Sequence, residues 1–102
     1  MKQYKYTLLK QDGSTEDLGV SKKKSLQELY EAIGCNMIEI IPSAYWVGKG
    51  FGRCTMYGDE EGRFVETNHR NPHFKVLVDD NGGVWDVVGN ILKEEVYAQD
   101  TI

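Results

Sequence analysis

The chain has 102 residues, of which 40% are hydrophobic and 27% charged, and a formal charge of −4 at neutral pH. That length allows one domain with a single modest core, and the composition is that of a folded protein rather than a disordered one. The negative balance argues against a nucleic-acid partner, because phosphates are held by a basic stripe.

Residues 3–9 alternate, with Tyr4, Tyr6 and Leu8 on one side and Lys5 and Thr7 on the other, which predicts a half-buried strand. The same stretch lacks the continuous apolar run of a secretion signal, and no segment approaches the length of a membrane-spanning helix. Asp12-Gly13 is a turn signal, so Glu16–Val20 is expected to return as the second arm of a hairpin. Lys22, Lys23 and Lys24 form the one basic cluster, read as a solvated loop ahead of a helix.

Residues 25–33 carry the clearest local signal. Ser25 and Glu28 have the spacing of a capping box, and Leu26, Leu29, Tyr30 and Ile33 fall on one helical face. Gly34 can close the helix in the left-handed conformation. A strand over 36–41 follows, ended by Pro42, which has no N–H for a ladder. Tyr45–Val47 and Phe51–Tyr57 read as two strands around a hairpin tip, Gly48-Lys49-Gly50. Asp59-Glu60-Glu61-Gly62 is expected to turn, with positive φ at Gly62, before Arg63–Glu66 resumes an extended course.

Thr67 to Pro72 is polar and broken by proline, hence a loop. Phe74, Val76 and Val78 alternate as a strand would, although Pro72 could also open a helical turn; the β-branched content favours the strand. Asp80-Asn81-Gly82-Gly83 then makes a hairpin turn into Val84–Val88, Gly89 a bend, Ile91–Val96 a last strand, and Gln99–Ile102 a frayed end. These elements predict an α+β fold in a single domain, 1–102: a mostly antiparallel sheet with one main helix, about 25–33, packed on it. Leu26, Leu29, Ile33, Ile38, Ile40 and Val88 are the expected core.

Leu26-Gln27, Ile33-Gly34 and Ile38-Glu39, then Asp59-Glu60-Glu61-Gly62-Arg63, Asn68 and Val88-Gly89-Asn90 follow one another in an order that resembles a small family of unknown function (domain of unknown function 3846 type). Its members are found largely in bacteriophages, plasmids and other mobile elements, and the resemblance spans residues 25–97. It implies an accessory protein working in the cytoplasm of an infected or host bacterial cell, with no catalytic residues assigned. The chain departs from the family in having Gly34-Cys35 where paired glycines are common, and in the aromatic insert Tyr45–Phe51.

The candidates for chemistry are weak. His69 and His73 are four apart, but Pro72 interrupts the helix that would bring them to one face, and with Cys35 and Cys54 they match no zinc module. A cysteine nucleophile needs a base and an orienting group, and Cys54 in a strand reads as a small buried hydrophobe. Both cysteines are expected as thiols, although a bridge between adjacent strands stays open. Gly48-Lys49-Gly50-Phe51-Gly52 lacks the ending of a phosphate loop.

The reading that survives is binding without catalysis, cofactor or metal. Tyr45, Trp46, Lys49, Phe51, Arg53 and Tyr57 form the candidate contact surface, because aromatic and arginine side chains dominate binding hot spots. The partner would be a host protein or a second copy, a homodimer made by pairing sheet edges. The alternative is sequestration of an anionic small ligand such as a nucleotide signal, with Lys49 and Arg53 on phosphate and Tyr45 or Trp46 on a base. The protein is expected to purify without stoichiometric zinc. Elemental analysis showing one metal per chain, lost on changing His69 or His73, would overturn this.

Overall fold

The N-terminal alternation builds β1 (Lys2–Leu9), which turns through Asp12 and Gly13 into β2 (Thr15–Ser21) in the computed structural model; it describes residues 2–47 and 54–99. Asp12 closes that turn by accepting from the backbone N–H and the hydroxyl of Ser14, and Gly13 takes the positive φ of 93° that the reversal needs. The capping box forms as the spacing requires: Ser25 Oγ accepts from the Glu28 N–H and Glu28 Oε1 from the Ser25 N–H. Helix α1 (Leu26–Ile33) ends at Gly34 in the left-handed conformation.

Beyond it lie β3 (Ile38–Ile40), a single 3-10 turn (Ser43–Tyr45), β4 (Cys54–Asp59), a second 3-10 turn (Gly62–Phe64), β5 (Leu77–Val78), β6 (Val84–Trp85) and β7 (Ile91–Gln99). Five strands form one sheet in the order β2-β1-β7-β4-β3, every neighbouring pair antiparallel, and β5 and β6 make a separate two-stranded ribbon. The fold is α+β, mostly antiparallel, with one helix on the sheet. Consecutive residues of a strand face opposite sides, so each central strand feeds two cores. Tyr6, Leu8, Tyr57 and Leu92 pack with Leu29 under the helix, while Met56 and Ile91 pack with Ile41, Phe74 and Val87 on the other face.

Several expectations are corrected. Leu26 and Ile40 are exposed, at 54% and 64%, and Ile33, Ile38 and Val88 are half-buried. Helix α1 has only two turns, so its buried face narrows to Leu29, and Leu26 in the first turn is left exposed. Ile40 lies on β3, the edge strand of the sheet among the described residues. Tyr45–Val47 does not pair with β4, because β3 and β7 occupy both edges of that strand. Instead Pro42 starts the 3-10 turn, Trp46 bridges Phe74, and Tyr45 C=O accepts from the Lys75 N–H at 2.7 Å. Gly62 is buried without positive φ, and Arg63–Glu66 opens with the second 3-10 turn rather than a strand. The strand at Phe74–Val78 shrinks to Leu77–Val78, and Val84–Val88 to Val84–Trp85. The expected tip Gly48-Lys49-Gly50, the expected strand start at residues 51–53, and residues 100–102 lie outside the described residues.

Under the helix the sheet buries a charge. Glu94 on β7 is 3% exposed. Its Oε2 accepts from the Tyr6 hydroxyl at 2.7 Å, and its Oε1 from the Tyr57 hydroxyl at 3.0 Å and from Lys23 Nζ at 2.8 Å. Tyr6 Oη also accepts from the Lys24 N–H at 2.8 Å. The Lys23 ammonium lies 5.1 Å from the ring centre of Tyr4 and that of Lys24 4.9 Å from Tyr6. Lys23 and Lys24 of the basic cluster are thus tied to the sheet rather than simply solvated. Burial pushes the Tyr6 hydroxyl far above its ordinary range, with Glu94 adding to the shift against the Lys24 N–H, and burial beside Glu94 raises Tyr57 as well.

Leu29→Ala should cost about 2–5 kcal/mol of unfolding free energy and Leu26→Ala less than about 0.5 kcal/mol, as read by denaturant titration. Equal losses would place the helix face wrongly. Glu94→Ala should cost at least about 2 kcal/mol, because it orphans two buried hydroxyls. Above pH 10, the ordinary tyrosine value, unfolded Tyr6 and Tyr57 shed protons that the folded ones keep, so stability should fall with rising pH. Tyr6→Phe should flatten that slope.

Candidate functional site

Three of the six aromatic and basic candidates are placed, and all three serve packing. Tyr57 is buried with its hydroxyl on Glu94. Trp46 is half-buried against the second core, its Nε1–H donating to Ile41 C=O at 3.2 Å. Tyr45 packs on the same core and lines a neighbouring groove. Lys49, Phe51 and Arg53 fall outside the described residues.

The thiols and imidazoles are not brought together. Cys35 and Cys54 are free and half-buried, so the bridge left open by the sequence is absent. Burial raises both thiols, helped at Cys35 by Asp59, which disfavours the thiolate a nucleophile needs. The loop carrying the histidines is braced instead by amides. Fully buried Asn71 donates from Nδ2 to Leu9 C=O and Gly89 C=O, at 2.9 and 2.8 Å, and its Oδ1 accepts from the His73 N–H. The His69 N–H donates to Gln11 Oε1, and His73 Nε2 lies 3.1 Å from Ser14 C=O. Among the described residues no cluster of His, Cys, Asp and Glu could hold a metal ion.

The residues singled out around Gly62, Asn68 and Gly89 do converge, as a brace. Asn68 Nδ2–H donates to Gly62 C=O at 2.9 Å, and a Cβ on Gly89, whose φ is +78°, would sit 2.9 Å from the same nitrogen. Glycine is required there both by conformation and by space.

The feature that composition could not reveal is a groove of about 330 Å³ on the second face, between β3 and the β5–β6 ribbon. Its floor is apolar, from Ile41, Gly58, Val87 and Ile91; Trp85 stands at one wall, and the Ile40 segment of β3, whose side chain follows Tyr57 to the helix face, closes the other; its rim carries Glu39, Asp59, Glu60, Arg63 and Asp86. Gly58 keeps the floor low, since a Cβ there would meet Ile91 Cδ1 at 2.8 Å. Asp86 is occupied by Arg63, at 2.9 Å to Nη1 with a second contact from Nη2 to its backbone C=O, and by Arg70 at 3.5 Å. Glu39, Asp59 and Glu60 therefore set the sign of the groove. Partial burial raises the Glu39 carboxyl, and Glu60 and Asp59 add to this against Arg63, so the site already resists a further negative charge.

Trp85 is half exposed and held in place by Asp79, whose Oδ2 accepts from the indole N–H at 3.1 Å while Oδ1 accepts from the Asn81 and Gly83 N–H groups. These bonds hold the Asp79 carboxyl below its ordinary range, the indole contributing most.

No family model, curated protein or solved structure matches the chain. No helix among the described residues is long and apolar enough to cross a membrane.

The sequence signals for this groove existed but were dispersed. Glu39, Ile40, Asp59, Glu60 and Trp85 come from β3, the β4 turn and β6, and each taken alone reads as a strand or turn residue. Because folding depresses Asp79, its support for Trp85 is present above pH 3.8, the ordinary value, and is lost as pH falls through the lower folded value. The indole N–H resonance of Trp85 should hold steady down to about pH 4 and shift below it. Asp79→Ala should produce the shifted signal at neutral pH, and a signal unmoved by either change would remove Asp79 as the anchor.

Proposed function

We propose that this chain is a small non-enzymatic accessory protein that acts by binding another protein, and that the groove between β3 and the β5–β6 ribbon is its contact surface. The observation that carries the reading is the pairing of an apolar floor with the exposed Trp85 ring, beside a sheet edge that no other strand among the described residues covers and whose Ile40 is exposed on the opposite face. Exposed tryptophan at the wall of a pocket is the usual anchor of a protein contact. The raised thiols and the amide-braced histidine loop support binding over nucleophilic chemistry. In the bacterial setting that the family resemblance implies, the partner is a host protein and the chain a phage-type accessory factor. Capture of an anionic small ligand has less support: the placed cavity carries an acidic rim, and Lys49 and Arg53, its proposed phosphate contacts, are outside the described residues.

The test is capture from a bacterial lysate by tagged protein, scored by mass spectrometry. Trp85→Ala and Ile40→Asp should each lower recovery of the main partner by more than tenfold, since anchors are often worth about 2 kcal/mol or more, while the melting temperature stays within a few degrees. Lys49→Ala, Phe51→Ala and Arg53→Ala should leave recovery intact. Loss in the tip variants alone would move the surface to residues 45–57, and loss in neither set would sink the reading.

A further inference from the structure

The open edge of β3 has a fixed polarity. Ile41 N–H donates to Met56 C=O, Glu60 N–H donates to Met37 C=O, and Glu39 is paired with Gly58. Residues 37, 39 and 41 therefore turn their backbone toward β4, and antiparallel alternation turns the N–H and C=O of Ile38 and Ile40 outward, where the sheet has no further strand among the described residues. Glu39, between them, stands over the groove on the second face together with Gly58.

The opposite edge is blunted. β2 carries Gly19 at φ +84°, bound by its N–H to Asp17 Oδ1, and its register against β1 slips between Lys5 and Thr7. Such a bulge, with Glu16 and Asp17 on the strand, is a common protection against unwanted pairing. β3 has no bulge, and its outward Ile40 is 64% exposed.

We infer that β3 accepts a strand from a basic partner: an extended segment pairs with Ile38 and Ile40, and alternate lysine or arginine side chains enter the groove. The inference rests on the binding reading above and names its occupant. An added strand sends every second side chain to the same face. On the second face these side chains meet Glu39 and Glu60, with the Trp85 ring as an apolar wall for the stem of a lysine or the plane of an arginine. Charge decides against a second copy. A two-fold pairing of this edge would bring the same carboxylates of both chains together, in a protein already at −4.

The probe is a blocked decapeptide alternating lysine with valine, titrated into the intact protein and followed by amide NMR, with the glutamate–valine peptide and n-butylammonium chloride as controls. The lysine peptide should shift the Ile38 and Ile40 amides and the Trp85 indole, and slow hydrogen exchange at those two amides. Its binding should weaken at least about fivefold in the double variant Glu39→Gln, Glu60→Gln, and again when salt rises from about 0.05 to 0.3 M. Ile40→Pro removes the outward donor without touching the ladder to β4 and should abolish the exchange protection; the charge variants carry the test if that variant does not fold. Equal binding of the glutamate peptide, shifts elsewhere on the surface, or the same response to butylammonium would overturn the inference. So would sedimentation showing that the chain dimerises through Ile38 and Ile40 without peptide. If the inference fails while Trp85→Ala still abolishes lysate capture, the groove binds a partner of different chemistry and only this assignment falls.

Discussion

The buried carboxylate of Glu94 is the contact on which the helix-side layer depends. A charge in the middle of a five-stranded sheet is tolerable only when donors surround it, since desolvation of an unpaired carboxylate costs several kcal/mol. Tyr6 from β1, Tyr57 from β4 and Lys23 from the β2–α1 loop supply them. One side chain thereby fixes the lateral order of three central strands and anchors the loop that presents the helix N-terminus. Hydrophobic burial alone would leave that loop free to slide, because aliphatic contacts do not specify direction.

The opposite face solves a different problem with neutral groups. Its cover is mostly irregular chain, from Thr67 to Lys75, and irregular backbone needs partners that a ladder would otherwise supply. Asn71 fills that need at the centre, satisfying carbonyls of Leu9 and Gly89 while its own oxygen holds the His73 N–H. Asn68 and Asn90 extend the brace to Gly62 and Gln11. The rigidity matters for the groove: Val87 and Trp85 can wall it only if the segment leading into β7 is pinned at Gly89.

The groove therefore lies at the end of two chains of constraint. β3 reaches it through pairing with β4, whose register is set by β7, and the ribbon reaches it through the Asn71 brace. Between these supports, among the described residues, an edge strand stays open and Asp86 takes both Arg63 and Arg70. An arrangement with apolar floor, free backbone groups and one sign of charge suits recognition of an extended basic chain better than stabilisation of a reacting atom, which needs groups converging on a point.

The capping box at Ser25 and Glu28, the Gly34 stop, the Asp12-Gly13 turn and the alternation of Tyr4, Tyr6 and Leu8 were legible in the sequence, because each rests on interactions within a few residues along the chain. So was the α+β class, which follows from summing such local signals. Of the aromatic segment 45–57, residues 54–57 are strand as expected, whereas Tyr45–Val47 was misread as its hairpin partner, since whether Tyr45 and Trp46 pair with β4 or with Phe74 depends on which edges of β4 are already occupied. The exposure of Ile40 and Leu26 was hidden for the same reason: alternation says which residues share a face but not whether anything covers it. Glu94 gave no sign of burial, and the groove's residues each read as an ordinary strand or turn residue. Both are built from strands far apart in sequence, and only their pairing order brings Tyr6 and Tyr57 to Glu94 and sets Trp85 across from Glu39.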